Sequence, residues 1–151
     1  MTVIGPEHDP RSDVPETEAG KIAGIFADAI ESGDLKELSD LLAAEIVYLV
    51  PGRSEAAGLH CGRDTVTEAL AQEVGADTVV SVVEVTELLA AGNRAVVIVR
   101  FAGTVNGDSF DYETVFHLRT LDGVVVAITE YSGDQHSADH VARRASMARE
   151  S

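Results

Sequence analysis

The chain has 151 residues, 45% of them hydrophobic, and a formal charge of -15. That length suits one domain with a substantial core, and the acid excess excludes nucleic acid or an anionic membrane surface as partner, because both must be neutralised by basic side chains. Cys61 is the single cysteine, so no intrachain disulfide can form; with no apolar run of membrane-spanning length and no basic-then-apolar start, the expected location is cytoplasmic.

Residues 1–17 carry Pro6, Pro10 and Pro15 among acids and read as a flexible tail, with one domain over 18–146 and a short tail at 147–151. Ile22, Ile25, Phe26, Ala29 and Ile30 recur at helical spacing, and the run stops at Gly33, a residue suited to a left-handed cap. Asp34 and Glu37 have the spacing of a capping box, and Leu35, Leu38, Leu41 and Leu42 form the stripe of a second helix. From Glu45 to Val50 the residues become β-branched and aromatic, and Pro51-Gly52 ends this short strand, with a loop running to Cys61. Asp64 is the expected cap of a third helix bearing Val66, Ala69, Leu70 and Val74, closed by Gly75.

The second half changes character. Segments 78–90, 94–105, 109–120 and 124–132 are rich in Val, Ile, Thr, Phe and Tyr, and are joined at Gly92-Asn93, Asn106-Gly107 and Asp122-Gly123. Such dipeptides supply the positive φ angles of tight hairpins, so an antiparallel meander is predicted. Ser137 is the expected cap of a last helix with Val141 and Ala145, and Arg143, Arg144 and Arg149 near its C-terminal end. Helices followed by a curled sheet give an α+β domain with the helices on one sheet face.

Strand parity assigns the faces. Tyr112, Thr114, Phe116 and Leu118 share one side of the fourth strand and Asp111, Glu113, His117 and Arg119 the other; the first set is the inner face. Val97, Val99 and Phe101 face inward from the third strand, against Arg94 and Arg100. In the last strand Val124, Val126, Ile128 and Glu130 fall on one side, so an acid ends an otherwise apolar row. In an apolar cavity such a carboxyl is tuned upward by desolvation and serves as a general acid or base near neutral pH; at a strand end reaching solvent it does nothing of the kind. Tyr48 alternates with Ile46 and Val50, and its hydroxyl, like that of Tyr112, is either a donor to a substrate carbonyl or enolate or a buried phenol satisfied by a neighbour.

Other signals are weaker. His136 and His140, with Asp134 and Asp139 nearby, have a spacing that suits a metal only if both histidines lie on one helix face, whereas Ser137 starts the helix after His136. His60 and Arg63 border the loop into the third helix, at the rim of any pocket. No phosphate-binding loop, Ser-His-Asp arrangement or paired-cysteine site is present, and neither metal nor nucleotide cofactor is implied.

The order of elements, with the stretch around Ile30 to Leu38, the Pro-Gly loop and Gly-Arg-Asp helix start within Val50 to Val66, and the Glu-Tyr within Asp122 to His140, resembles the nuclear transport factor 2-like superfamily, nearest to its SnoaL-like and ketosteroid-isomerase-like branch. The resemblance spans roughly residues 19–142. It implies a cystatin-like α+β barrel: a curved antiparallel sheet forming a cone, three N-terminal helices on its concave face, a deep apolar pocket, and pairing of two copies through the outer face, here the row Glu113, Val115, His117. A ketosteroid isomerase has an acid where this chain has Val50, an oxyanion tyrosine where it has Phe26 and an oxyanion acid where it has Phe116, so steroid isomerisation by that apparatus is not expected. Epoxide-hydrolase-like members need an Asp-Arg-Asp trio inside, which the inward positions lack. SnoaL-like cyclases keep an acid on the last strand that resembles Glu130.

The resulting expectation is a cofactor-free cyclase or isomerase acting on a small apolar, polyketide-like carbonyl compound, with Glu130, Tyr48 and Tyr112 as catalytic groups and Phe26, Val50, Phe101, Thr114, Phe116 and Ile128 lining the substrate pocket. The alternatives are a non-catalytic small-molecule binder or dimeric interaction module, and an epoxide hydrolase.

Overall fold

The hydroxyl of Thr17 accepts the Gly20 N–H at 3.1 Å and so caps the first helix, α1, Glu18–Ser32, whose buried face carries Ile22, Ala23, Phe26, Ala29 and Ile30. Gly33, at φ 78, ends it by returning its N–H to the Ala29 carbonyl, a left-handed conformation that a β-carbon disfavours. The computed structural model describes residues 9–10, 17–53, 57–73, 80–105 and 107–134. The expected Val74-Gly75 closure, Asn106, the Ser137 helix with its arginines, and His136, Asp139 and His140 lie outside the described residues, as do most of the two tails.

Two helix starts differ from expectation. The second helix, α2, is only Lys36–Asp40 with Leu35 at its N-cap; Asp34 accepts the Lys36 N–H at 3.1 Å, an Asx turn in place of the capping box. Leu42 belongs to the following strand, because its backbone pairs with the last strand instead of extending the helix. The third helix, α3, runs Arg63–Glu73 and is entered through Gly62, at φ 95, whose carbonyl accepts the Val66 N–H at 2.9 Å; Asp64 lies within the first turn instead of capping it.

Six strands follow the order β2-β1-β6-β5-β4-β3, with β1 Leu42–Val50, β2 Gly58–Cys61, β3 Val80–Ala91, β4 Arg94–Val105, β5 Asp108–Leu121 and β6 Val124–Ser132. The meander from β3 to β6 is antiparallel as expected, joined by tight turns in which Gly92 (φ 60), Gly107 (φ 85) and the pair Asp122 (φ 51) and Gly123 (φ 82) take the positive angles. The sheet as a whole is mixed: β1 pairs in parallel with β6, and the edges β2 and β3 do not meet, so the sheet is curved and open and not a closed barrel. Helix α1 packs on β3 and β4, and α3 on β1 and β2, which places the core between the helices and one sheet face.

The β5 alternation is as read: Phe110, Thr114, Phe116, Leu118 and Thr120 are buried, while Asp111, Glu113 and Arg119 are exposed. In β6 the row is broken. Arg119 pairs with Ala127 but Thr120 with Val125, so Val126 is an extra residue, a bulge that reverses parity at this point. Val125, Ile128 and Glu130 therefore face the core, and the expected partners Val124 and Val126 are only partly buried.

Candidate functional site

Three elements converge on Glu130. Strand β6 carries it inward, 6% exposed, directly across from Phe116 of β5. Strand β1 lies on the other side in parallel register, Tyr48 opposite Ile128, and Tyr48 is wholly buried. The Tyr48 hydroxyl donates to Oε1 of Glu130. From the helical layer, Glu73, the last residue of α3, brings its carboxyl within interaction range of Glu130. Glu73 follows Val66 and Leu70, both buried, by seven and three positions, so it occupies the third place on the core-facing stripe of α3. That stripe was the signal for it; a reading confined to apolar residues passes over it.

The electrostatics follow from burial without compensation. Among the described residues neither acid has a basic partner, so desolvation is the leading cause that raises both carboxyls. Glu73 is pushed up to about 7 even though its interaction with Glu130 pulls it down. Glu130 rises well above the usual carboxylate range, through burial and then the nearby Glu73, against a lowering by the Tyr48 hydrogen bond. Tyr48 is raised by burial and by both acids, and stays a neutral phenol. Tyr112 is half-buried and is raised by the same three influences, so it lies within electrostatic reach of the two acids.

The predicted lining residues are all on this inner side. Val50 (7%), Phe101 (1%), Thr114 (1%), Phe116 (0%), Phe26 (0%) and Ile128 (1%) are buried. Phe26 and Phe116, at the two positions where oxyanion donors were looked for, meet as an aromatic pair with ring centroids 5.2 Å apart. Phe101 and Phe110 flank Tyr112, at 6.2 Å and 5.9 Å. His60 of β2 pairs across from Tyr48, with rings 5.8 Å apart, and is a closer neighbour of the cluster than the sequence indicated. Arg63 turns away, its Nε donating to the Leu42 carbonyl at 2.9 Å. Among the described residues no group of His, Cys, Asp and Glu is arranged to hold a metal ion.

Chemically, this is an acid-acid-phenol chain inside an apolar shell, with a second phenol at its side. A carboxyl that is neutral at ordinary pH donates a hydrogen bond or a proton, and one that ionises near 7 accepts one.

Comparison with known proteins places this geometry. Residues 23–128 match the SnoaL-like domain. Among solved structures, Bal32a from a soil-derived mobile gene cassette is 25% identical with a TM-score of 0.73, over 84% of this chain and 100% of that one. A Xanthomonas campestris protein with a cystatin-like fold is 27% identical with a TM-score of 0.71, over 82% and 97% of the two chains. An NTF2-like protein from Burkholderia xenovorans is 28% identical with a TM-score of 0.66, over 83% and 95%. The comparison with curated proteins gave no match.

Proposed function

The chain belongs to the SnoaL-like domain family within the NTF2-like superfamily, and from that membership together with its buried acids we propose that it is a cofactor-independent cyclase or isomerase acting on a small apolar carbonyl compound by general acid–base catalysis. The carrying observation is Glu130: an inward carboxyl at 6% exposure, bonded to a buried phenol and without a cation among the described residues. Proton transfer next to a carbonyl needs a base, and a donor for the oxygen that becomes negative. The carboxyl pair supplies the first. Tyr112 supplies the second, since the Tyr48 hydroxyl is engaged with Glu130.

Phe26, Val50, Phe101, Thr114, Phe116 and Ile128 form the wall against which the apolar part of the substrate packs. The test is a panel of polyketide-like β-dicarbonyl compounds and cyclic ketones, scored for binding by calorimetry and for conversion by mass spectrometry and NMR. Conversion of a member that Glu130→Gln binds but turns over poorly supports the reading. Conversion at the wild-type rate by Glu130→Gln sinks it.

The Phe26–Phe116 pair favours a second reading, a non-catalytic binder of apolar molecules, because it fills with hydrocarbon the positions where an oxyanion donor was sought. An epoxide hydrolase finds less support, because its trio needs Asp and Arg inside, whereas Arg100 and Asp111 bond to each other on the exposed face at 2.8 Å. For assembly we propose a homodimer through the outer face of β5, where Val115 and His117 are partly buried beside exposed Glu113. Sedimentation at micromolar concentration that finds only the 15.9 kDa monomer defeats that assignment.

A further inference from the structure

The outward row of β5 reads Asp111, Glu113, Val115, His117, Arg119: two acids, an apolar residue, then a histidine and an arginine. Turning the row end for end about Val115 sets each acid against a nitrogen donor. Such a row is complementary to an antiparallel copy of itself.

The neighbouring strands extend the pattern. Level with Val115 lie Tyr131 of β6, 56% exposed, and Ile98 of β4, so an apolar row crosses three strands through the middle of the face. At one end Arg94 of β4 stands directly opposite Arg119, two exposed like charges that repel, and neither has a carboxylate partner among the described residues. At the other end Glu84 joins Asp111 and Glu113, and Arg100 is the one cation set among these three acids among the described residues. Each end thus carries an excess of one sign.

We propose that this face binds a second copy of the chain with β5 antiparallel over β5, the two-fold axis running across the strands through the row of Val115, so that Asp111 meets the partner's Arg119 and Glu113 the partner's His117. The proposal rests on the homodimer proposed above and fixes how its two copies meet. A two-fold axis that brings one sheet face against itself lies in the plane between the sheets. Directed along the strands, it keeps every row level with its own copy, and the Arg94 and Arg119 end faces the same end of the partner. Directed across them, it carries the basic end of one copy over the acidic end of the other, which relieves both excesses. Each chain bears a formal charge of -15, so two copies repel at a distance and their contact needs this local match. The apolar row then lies at the centre and the ion pairs at a wet rim, as in stable interfaces.

The experiment is sedimentation of the full chain at micromolar concentration, as wild type, Arg119→Asp, Asp111→Arg and the variant with both changes. The wild type is expected as a dimer. Arg119→Asp makes both ends of the β5 row acidic and Asp111→Arg makes both basic. Each should dimerise roughly tenfold more weakly or worse, because a substitution in a symmetric interface acts twice and turns attraction into repulsion. With both changes in one chain the charges are exchanged, and the dimer should return. An equimolar mixture of the two single variants should also pair, as a heterodimer that native mass spectrometry identifies by its mass.

Single variants that dimerise as tightly as wild type, or a mixture that yields no heterodimer, overturn this arrangement while the homodimer stands. A wild type that stays monomeric overturns both. Should Asp111→Arg, which loses its bond to Arg100, fail to fold by circular dichroism, Val115→Glu and Val115→Arg carry the test, since position 115 meets its own copy on the axis. Each of these alone should be monomeric and their mixture dimeric; any other outcome overturns the placement of the axis.

Discussion

Two three-membered polar clusters lie on opposite faces of the same sheet. Outside, Arg100 of β4 reaches Asp111 of β5 at 2.8 Å and Glu84 of β3 at 3.4 Å, and all three side chains are well exposed. Inside, Tyr48 of β1, Glu130 of β6 and Glu73 of α3 form a chain with two acids and no cation among the described residues. The outer cluster has a cation between its two acids and is wet, so the guanidinium holds Asp111 below its ordinary value. The inner one is dry and uncompensated, and both carboxyls move up. The same residue type thus ends on opposite sides of its ordinary range, and the cause is whether water and a counter-charge are within reach. Exposed pairs of the outer kind add little to stability, whereas carboxyls of the inner kind cost stability when ionised and are kept for chemistry.

The sharpest test of that contrast is Glu130→Gln. The amide keeps the shape and can still accept from Tyr48, but it holds no transferable proton. Turnover of a carbonyl substrate is expected to fall about 10²-fold or more, with ligand affinity and fold retained. Replacing the outer Asp111 by Asn leaves turnover unchanged. Equal losses from both substitutions, measured in one steady-state assay, erase the distinction.

Second in size is a pH effect. Glu73 has its native value raised to about 7, above an unfolded value near 4.5. Between those values the native state binds more protons than the unfolded state, so stability is greatest below the lower one and is lost as pH rises through the upper one. The loss is roughly 3 kcal/mol by linkage, at 1.36 kcal/mol per unit. Glu73→Gln removes the ionisation, and chemical denaturation should find the variant more stable than wild type at pH 8 and close to it at pH 5. A wild-type stability that instead climbs between pH 5 and pH 8 contradicts the burial of this acid.

Glu130 was legible in the sequence and Glu73 was not, for a physical reason. A strand alternates with period two, so an acid ending an apolar row stands out from its own neighbours. The inner face of β5 was read correctly on the same basis, since its alternation runs unbroken. On a helix, a glutamate seven residues after Val66 belongs to the buried stripe only if the helix end is covered, and that depends on β1 and β6, distant in the chain. Non-local pairing hid other features too. The parallel pairing of β1 with β6 leaves no local signature, and it draws Leu42 out of the expected helix. The bulge at Val126 shifted half of a row whose other half, Ile128 and Glu130, kept its assigned face.

A smaller effect is expected from Tyr48→Phe. The ring and its contact with His60 are kept, but the donor to Glu130 goes, leaving a buried acceptor short of one partner at a cost of about 1–3 kcal/mol. Because the Tyr48 bond lowers Glu130, its loss raises that carboxyl further, and a ¹³C titration should show the shift. A variant with wild-type stability and an unmoved Glu130 means the phenol is not its partner.

The smallest effect belongs to the outer cluster, and it completes the comparison. Arg100→Ala removes the only cation seen within reach of both Asp111 and Glu84 among the described residues, so Asp111 should relax upward toward its ordinary value. Stability at low salt should drop only slightly, because an exposed pair gives back in side-chain order and solvation most of what attraction gains. The drop should then fade as salt is added, since the screening length falls from about 10 Å at 0.1 M to about 3 Å at 1 M. The inner acids are shielded from mobile ions, so the pH dependence of stability carried by Glu73 should persist across the same salt series. Thermal melts of wild type, Arg100→Ala and Glu73→Gln at two salt concentrations separate the two behaviours. If salt abolished the Glu73 effect as readily as that of Arg100, the inner cluster would be in contact with bulk solvent, and the physical basis for assigning it chemistry would be gone.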